Sequence, residues 1–152
     1  MRGFVARGNP ASDPAARGRQ DGRIREMSTH SDLATPLPPG RCLLFAYGQL
    51  QPGQRPPRTL SWAWPDRVLG ELLDLGDYPA AVKVGLGESC FRGYVLELAE
   101  SELTTELDAF EGVPELLYRR IRTITKAGYE VWIYEYARPL PHTAWGPIES
   151  WP

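Results

Sequence analysis

From Arg41 to the C-terminus the sequence consists of short apolar or alternating stretches cut by Gly and Pro, and a single stretch departs from that period. In Ala99 to Phe110, Leu103, Leu107 and Phe110 recur at i, i+4 and i+7, the spacing of one helix face. Glu100 and Glu102 stand in its first turn, where the helix dipole favours acids. The surrounding segments read as strands. Cys42-Leu43-Leu44-Phe45-Ala46-Tyr47 is an apolar run ended by Gly48, the pattern of a buried first strand. Val68 to Leu75 alternates, and Ala80 to Val84 and Cys90 to Leu98 flank a Gly85-Leu86-Gly87 turn, which predicts two to three strands with a hairpin. Tyr118 to Thr125 and Val131 to Ala137 predict a further pair joined at Lys126-Ala127-Gly128. Gln49 to Arg58 reads as loop, the Trp62 and Trp64 stretch as a short helix or irregular segment, and Pro139 to Pro152 as a surface wrap. Many strands and one main helix make an α+β fold, expected as a small mixed sheet curling into a barrel.

A chain of 152 residues is the size of one domain, and 42% apolar with 24% charged residues is enough to bury a core. The first 40 residues differ from the rest. Arg2, Arg7, Arg17, Arg19, Arg23 and Arg25 stand against Asp13, Asp21, Glu26 and Asp32, with little apolar surface, so residues 1–40 are expected to be a disordered tail and 41–152 the domain. Met27 offers an internal start. No stretch has the apolar length of a secretory signal or a membrane span, and the four acids argue against a transit peptide, so a cytoplasmic location without membrane contact is expected. A net charge of -2 without a basic cluster gives no reason to expect nucleic acid as partner. Cys42 and Cys90 lie in apolar stretches and read as reduced core thiols. His30 and His142 are far apart without a third ligand at zinc-like spacing, so no metal is expected.

Chemistry is confined to two junctions. A nucleophilic triad lacks its base, because the domain's one His lies in the Pro-rich end, and Gly85-Leu86-Gly87 is only a fragment of a phosphate loop. At the first junction, Tyr47-Gly48-Gln49-Leu50, Gly48 either simply ends a strand or lets successive N–H groups converge on an anion such as a carboxylate. At the second, Glu111 sits at the helix C-terminus before Gly112, where the dipole disfavours a carboxylate. It follows Leu107 at i+4, over the apolar face, where burial would raise its pKa into the range of a general base. The other reading is a partly exposed helix-end Glu paired with Arg119 or Arg120. Asp108 reads as a helix-end hydrogen bonder.

Leu44-Phe45-Ala46-Tyr47-Gly48-Gln49-Leu50, Pro52-Gly53, Tyr78-Pro79-Ala80, Gly93-Tyr94-Val95-Leu96-Glu97-Leu98, Leu107-Asp108-Ala109-Phe110-Glu111-Gly112, Tyr118-x-Arg120 and Trp132-Ile133-Tyr134 follow one another in an order and spacing that resembles the gamma-glutamylcyclotransferase-like family, AIG2-like members included. The resemblance implies that a γ-glutamyl amine or amino acid is converted to 5-oxoproline and the free amine, with no metal or organic cofactor. It implies that the Tyr47 to Leu50 loop holds the amino-acid end of the substrate and that Glu111 removes the amine proton. Loop N–H groups, or a polarising hydroxyl such as that of Tyr118 or Tyr134, are the candidates to steady the oxyanion that develops at the reacting carbonyl. Gln49 stands where the family usually has Ser or Thr. A non-catalytic small-molecule-binding or protein-interaction domain on the same fold is the alternative, and neither the γ-glutamyl substrate nor the oligomeric state is legible in the sequence.

Overall fold

The computed structural model describes residues 37–152, so most of the expected tail lies outside the described residues. Among the described residues, eight strands make two sheets. The larger has the order β2-β5-β1-β7-β6, with β1 at Arg41–Ala46, β2 at Trp62–Leu69, β5 at Cys90–Ala99, β6 at Tyr118–Ile124 and β7 at Glu130–Tyr136. The smaller has the order β4-β3-β8, with β3 at Glu71–Asp74, β4 at Pro79–Val82 and β8 at Trp145–Ile148. β1 runs antiparallel to β5 and parallel to β7, so the large sheet is mixed.

The apolar run of β1 is explained by its central place. Cys42, Leu44 and Ala46 point to a core shared with Leu96, Leu98, Leu103 and Leu107, while Phe45 and Tyr47 point to the opposite core, with Val68, Leu72, Phe91 and Ile133. A strand covered on both faces has no place for alternating polar residues. Helix covers one face and the smaller sheet the other. Gly93 lets β5 approach β1 closely, because a Cβ there would lie 2.4 Å from the Ala46 carbonyl oxygen and 2.9 Å from the Phe45 ring. Both cysteines are free, and burial pushes the Cys42 thiol up to about 11, out of the reactive range.

Five local expectations are corrected. Trp62 and Trp64 belong to an edge strand, β2, paired with β5 through its length; half-exposed aromatics fit such an edge. Val68 to Leu75 is two strands, because Gly70 at φ 139° turns the chain from the large sheet into the small one. The Gly85-Leu86-Gly87 turn joins two sheets rather than two hairpin strands, and β4 pairs with β3 instead. The C-terminal stretch contributes β8, which pairs with β3. The large sheet is open rather than closed: its edges β2 and β6 are not neighbours, although the Lys126 N–H donates to the Arg67 carbonyl at 2.8 Å across the gap.

The helical segment also departs from the expected regular helix. α1 (Glu100–Glu102) and α2 (Asp108–Phe110) are separated by a π-turn at Leu103–Leu107, in which the Asp108 N–H donates to the Leu103 carbonyl. The wider turn takes up one extra residue, so the residue that comes round to the face of Leu103 and Leu107 is 111 and not 110. Phe110 is accordingly 46% exposed while Leu103 and Leu107 are buried. Glu102 is buried and anchors the preceding loop, accepting the N–H groups of Arg58 at 2.7 Å and Thr59 at 2.9 Å.

Candidate active site

The two junctions singled out in the sequence meet at one cavity of about 130 Å³. It opens between the end of β1 and the end of the helical segment. Tyr47, Gly48, Gln49, Leu50, Glu111, Tyr118 and Tyr134 all line it. Sequence reasoning gave no role to Phe45, Ala46, Tyr78, Pro79, Phe110 and Leu117, which complete the wall. The signal for two of them was present in Tyr78-Pro79, an aromatic and a proline directly after the Gly76-Asp77 turn. A space of this size suits one short, amino-acid-sized group, since a dry cavity of roughly 150 Å³ holds a benzene-sized molecule.

Gly48 both ends its strand and shapes the wall. A Cβ there would stand 3.0 Å from the Pro79 ring, so any larger residue would push that proline into or away from the cavity. The Gln51 N–H and side-chain amide both donate to the Gly48 carbonyl, at 3.1 and 3.0 Å, and the Arg55 N–H donates to the Gln49 carbonyl at 2.7 Å. The loop is therefore pinned through its carbonyls. Its N–H groups at Gly48, Gln49 and Leu50 donate to no other group among the described residues, and they belong to the cavity wall. Gln49 itself is exposed, at the rim.

The three tyrosines have directed hydroxyls. Tyr47 donates to the Tyr134 carbonyl and Tyr118 to the Pro79 carbonyl, acceptors that have no proton to return. Tyr134 donates to Asp108 Oδ1 at 2.7 Å, and Asp108 is held by Arg120 through bonds of 2.8 and 3.1 Å. Each phenol proton is thus directed at a group of the scaffold, and the Tyr47 oxygen also takes a main-chain hydrogen bond from Ala81. Burial pushes the Tyr47, Tyr118 and Tyr134 hydroxyls well above their ordinary range. They remain neutral at any physiological pH.

Glu111 is the C-cap of α2. Gly112, at φ 72°, donates to the Ala109 carbonyl at 3.1 Å and Val113 donates to the Asp108 carbonyl at 2.9 Å, the two bonds of a Schellman ending. This ending sets the direction in which the Cα–Cβ bond of Glu111 leaves the chain. The carboxylate differs from the other shielded ones. Glu97 takes a bond from Arg41 at 2.7 Å, Glu102 takes main-chain N–H groups, and Glu135 takes Val84 N–H at 3.0 Å and Arg119 at 2.9 Å. Glu111 has no hydrogen bond or ion pair to its carboxylate among the described residues, and desolvation by burial raises its pKa to about 7. Pairing with Arg119 or Arg120 does not occur, because Glu135 and Asp108 take those cations. Asp108 is a hydrogen bonder, as read from the sequence, although its partners lie on β6 and β7 rather than at the helix end. Among the described residues no three His, Cys, Asp or Glu side chains converge as metal ligands.

A family model described as gamma-glutamyl cyclotransferase, AIG2-like, matches residues 44–151, which include both junctions and every wall residue. The fold is similar to that of an AIG2-like protein from Mus musculus, at TM-score 0.60 and 21% identity over 74% of this chain and 88% of that one. It is also similar to YkqA from Bacillus subtilis, at TM-score 0.52 and 23% identity over 63% of this chain and 36% of that one. No curated protein matches. The structural neighbours carry likeness of fold, while the sequence match covers more than half of the chain and shows the family. With its cavity built at the two junctions that the family pattern spans, this chain belongs to the gamma-glutamyl cyclotransferase, AIG2-like family.

Proposed function

We propose that the protein converts a γ-glutamyl amine or γ-glutamyl amino acid to 5-oxoproline and the free amine, with Glu111 as general base. The observation that carries this reading is a half-buried carboxylate without a cation partner, in the wall of an amino-acid-sized cavity that is also lined by three residues whose main-chain N–H groups are unpartnered among the described residues. In the reaction the substrate's α-amino nitrogen bonds to its own γ-carbonyl carbon and the bond from that carbon to the leaving nitrogen breaks. The proton removed from the attacking amine passes to Glu111 and from there to the leaving amine.

The physical demands match what the wall offers. An intramolecular attack needs a folded glutamyl chain held in near-attack geometry, and orientation of this kind contributes roughly 7–11 kcal/mol. A small rigid cavity supplies it. Proton transfer from an α-ammonium of pKa about 8 to an ordinary Glu of about 4.3 is uphill by roughly 5 kcal/mol. With Glu111 at about 7 the gap shrinks to about 1.4 kcal/mol. Since the phenol protons are directed elsewhere, the N–H groups at positions 48–50 are the donors for a substrate carboxylate or for the oxygen charge that develops at the reacting carbonyl. Donors of that kind are worth about 3–4 kcal/mol when preorganised.

A panel of γ-glutamyl amines and amino acids, assayed for 5-oxoproline, tests the proposal, and Glu111→Gln should remove turnover while ligand-induced thermal stabilisation persists. Absence of 5-oxoproline across the panel, together with a ligand that still raises Tm, would reassign the cavity to a binding domain on the same fold.

A further inference from the structure

The loop after β1 carries two guanidinium groups with different surroundings. Arg58 is paired with Glu106, its Nε 3.1 Å from Oε1. Arg55 has no carboxylate partner among the described residues. Its main-chain N–H donates to the Gln49 carbonyl at 2.7 Å, which fixes the base of the side chain beside the cavity wall. Its guanidinium carbon lies 6.0 Å from the centre of the Phe110 ring. Phe110 and Gln49 are the exposed residues of the cavity wall, so the mouth lies at these two, and the cation stands beside it over the Phe110 ring without itself lining the wall. A ring face attracts the cation and limits its wandering without neutralising it, and the guanidinium N–H donors stay available.

A substrate whose glutamyl end reaches Glu111 fills a cavity of about 130 Å³, and whatever is attached to its γ-carbonyl leaves by that mouth. We propose that Arg55, held over Phe110, reads the leaving group and favours one that bears a carboxylate, a γ-glutamyl amino acid or peptide, over one that bears a cationic amine. This rests on the cyclisation reading above. In a γ-glutamyl amino acid the carboxylate is one carbon removed from the nitrogen of the breaking bond, so it emerges at the rim as the glutamyl part seats. Guanidinium binds a carboxylate through two parallel N–H···O bonds, and a cationic amine at the same place meets like charge. The phase change at the π-turn supplies the device: it swings Phe110 off the core face and out to the mouth while Glu111 turns inward.

The test measures kcat/KM for 5-oxoproline release from γ-glutamyl-alanine, its C-terminal carboxamide and a γ-glutamyl diamine, with the full chain and with Arg55→Gln and Arg55→Lys. For the unmodified chain the expected order is carboxylate, then carboxamide, then diamine, with carboxylate over carboxamide by roughly three- to tenfold, the size of a partly shielded ion pair. Arg55→Gln should bring that ratio close to one, Arg55→Lys should keep part of it, and added salt should narrow it. Equal rates for carboxylate and carboxamide, preference for the diamine, or a ratio untouched by Arg55→Gln overturns the inference while leaving cyclisation intact. If none of the three compounds yields 5-oxoproline, the cyclisation reading fails. Thermal shift with the same pair of ligands then decides about Arg55, and equal stabilisation by carboxylate and carboxamide overturns its role.

Discussion

Glu111 in the wall of its cavity should weaken the fold at the pH where it would act. Its pKa is raised from 4.5 to about 7 by desolvation. A group with a raised folded-state pKa binds more protons folded than unfolded, so stability falls as pH rises through the window from 4.5 to about 7. At about 1.36 kcal/mol per pH unit, that displacement is worth roughly 3 kcal/mol, and water reaching the half-buried carboxylate reduces it to about 2 kcal/mol. Glu111→Gln keeps the shape and removes the charge. The variant is expected to be about 2 kcal/mol more stable than the unmodified chain at pH 8 and nearly equal to it at pH 4.5, where Glu111 is largely protonated in the folded state. In thermal melts this corresponds to a gap of roughly 8 °C at pH 8, at about 4 °C per kcal/mol for a domain of this size. Urea unfolding at the two pH values gives the free energies directly. A variant no more stable at pH 8, or a gap independent of pH, would refute the claim that this carboxylate is desolvated and unpaired, whatever the enzyme assays give.

The same value sets the rate profile: kcat/KM for 5-oxoproline release should rise with pH, with a midpoint near 7, because only the deprotonated carboxylate accepts the amine proton. Gly93→Ala places a methyl 2.4 Å from the Ala46 carbonyl oxygen, and forcing β5 from β1 should cost about 1–3 kcal/mol in urea unfolding; an unchanged midpoint would show that the strands have slack. Glu102→Ala leaves the N–H groups of Arg58 and Thr59 without their acceptor. It is expected to cost about 1–3 kcal/mol and to speed amide exchange at positions 58 and 59, whereas protection at the level of the unmodified chain would show another acceptor taking over.

Much of this molecule was legible because period and punctuation are local properties. The apolar run at 42–47 ended by Gly48 had no solvated face to alternate towards, and the structure buries both of its faces. The paired strands around Lys126-Ala127-Gly128 and the helical stretch at 100–110 were equally visible. Family pattern and residue chemistry together brought Tyr47 to Leu50 and Glu111 to attention, and both line one cavity. What the sequence did not contain is how segments distant along the chain share hydrogen bonds. A tryptophan-rich stretch becomes an edge strand because β5 offers it a partner, and Val68 to Leu75 divides because Gly70 passes between two sheets. The environment of Glu111 was decided in the same way. Periodicity placed it near the apolar face, but a π-turn set its final phase, and only the capture of Arg119 by Glu135 and of Arg120 by Asp108 left its carboxylate without a cation. A pKa depends on the three-dimensional distances to charge and water, which the order of residues does not express.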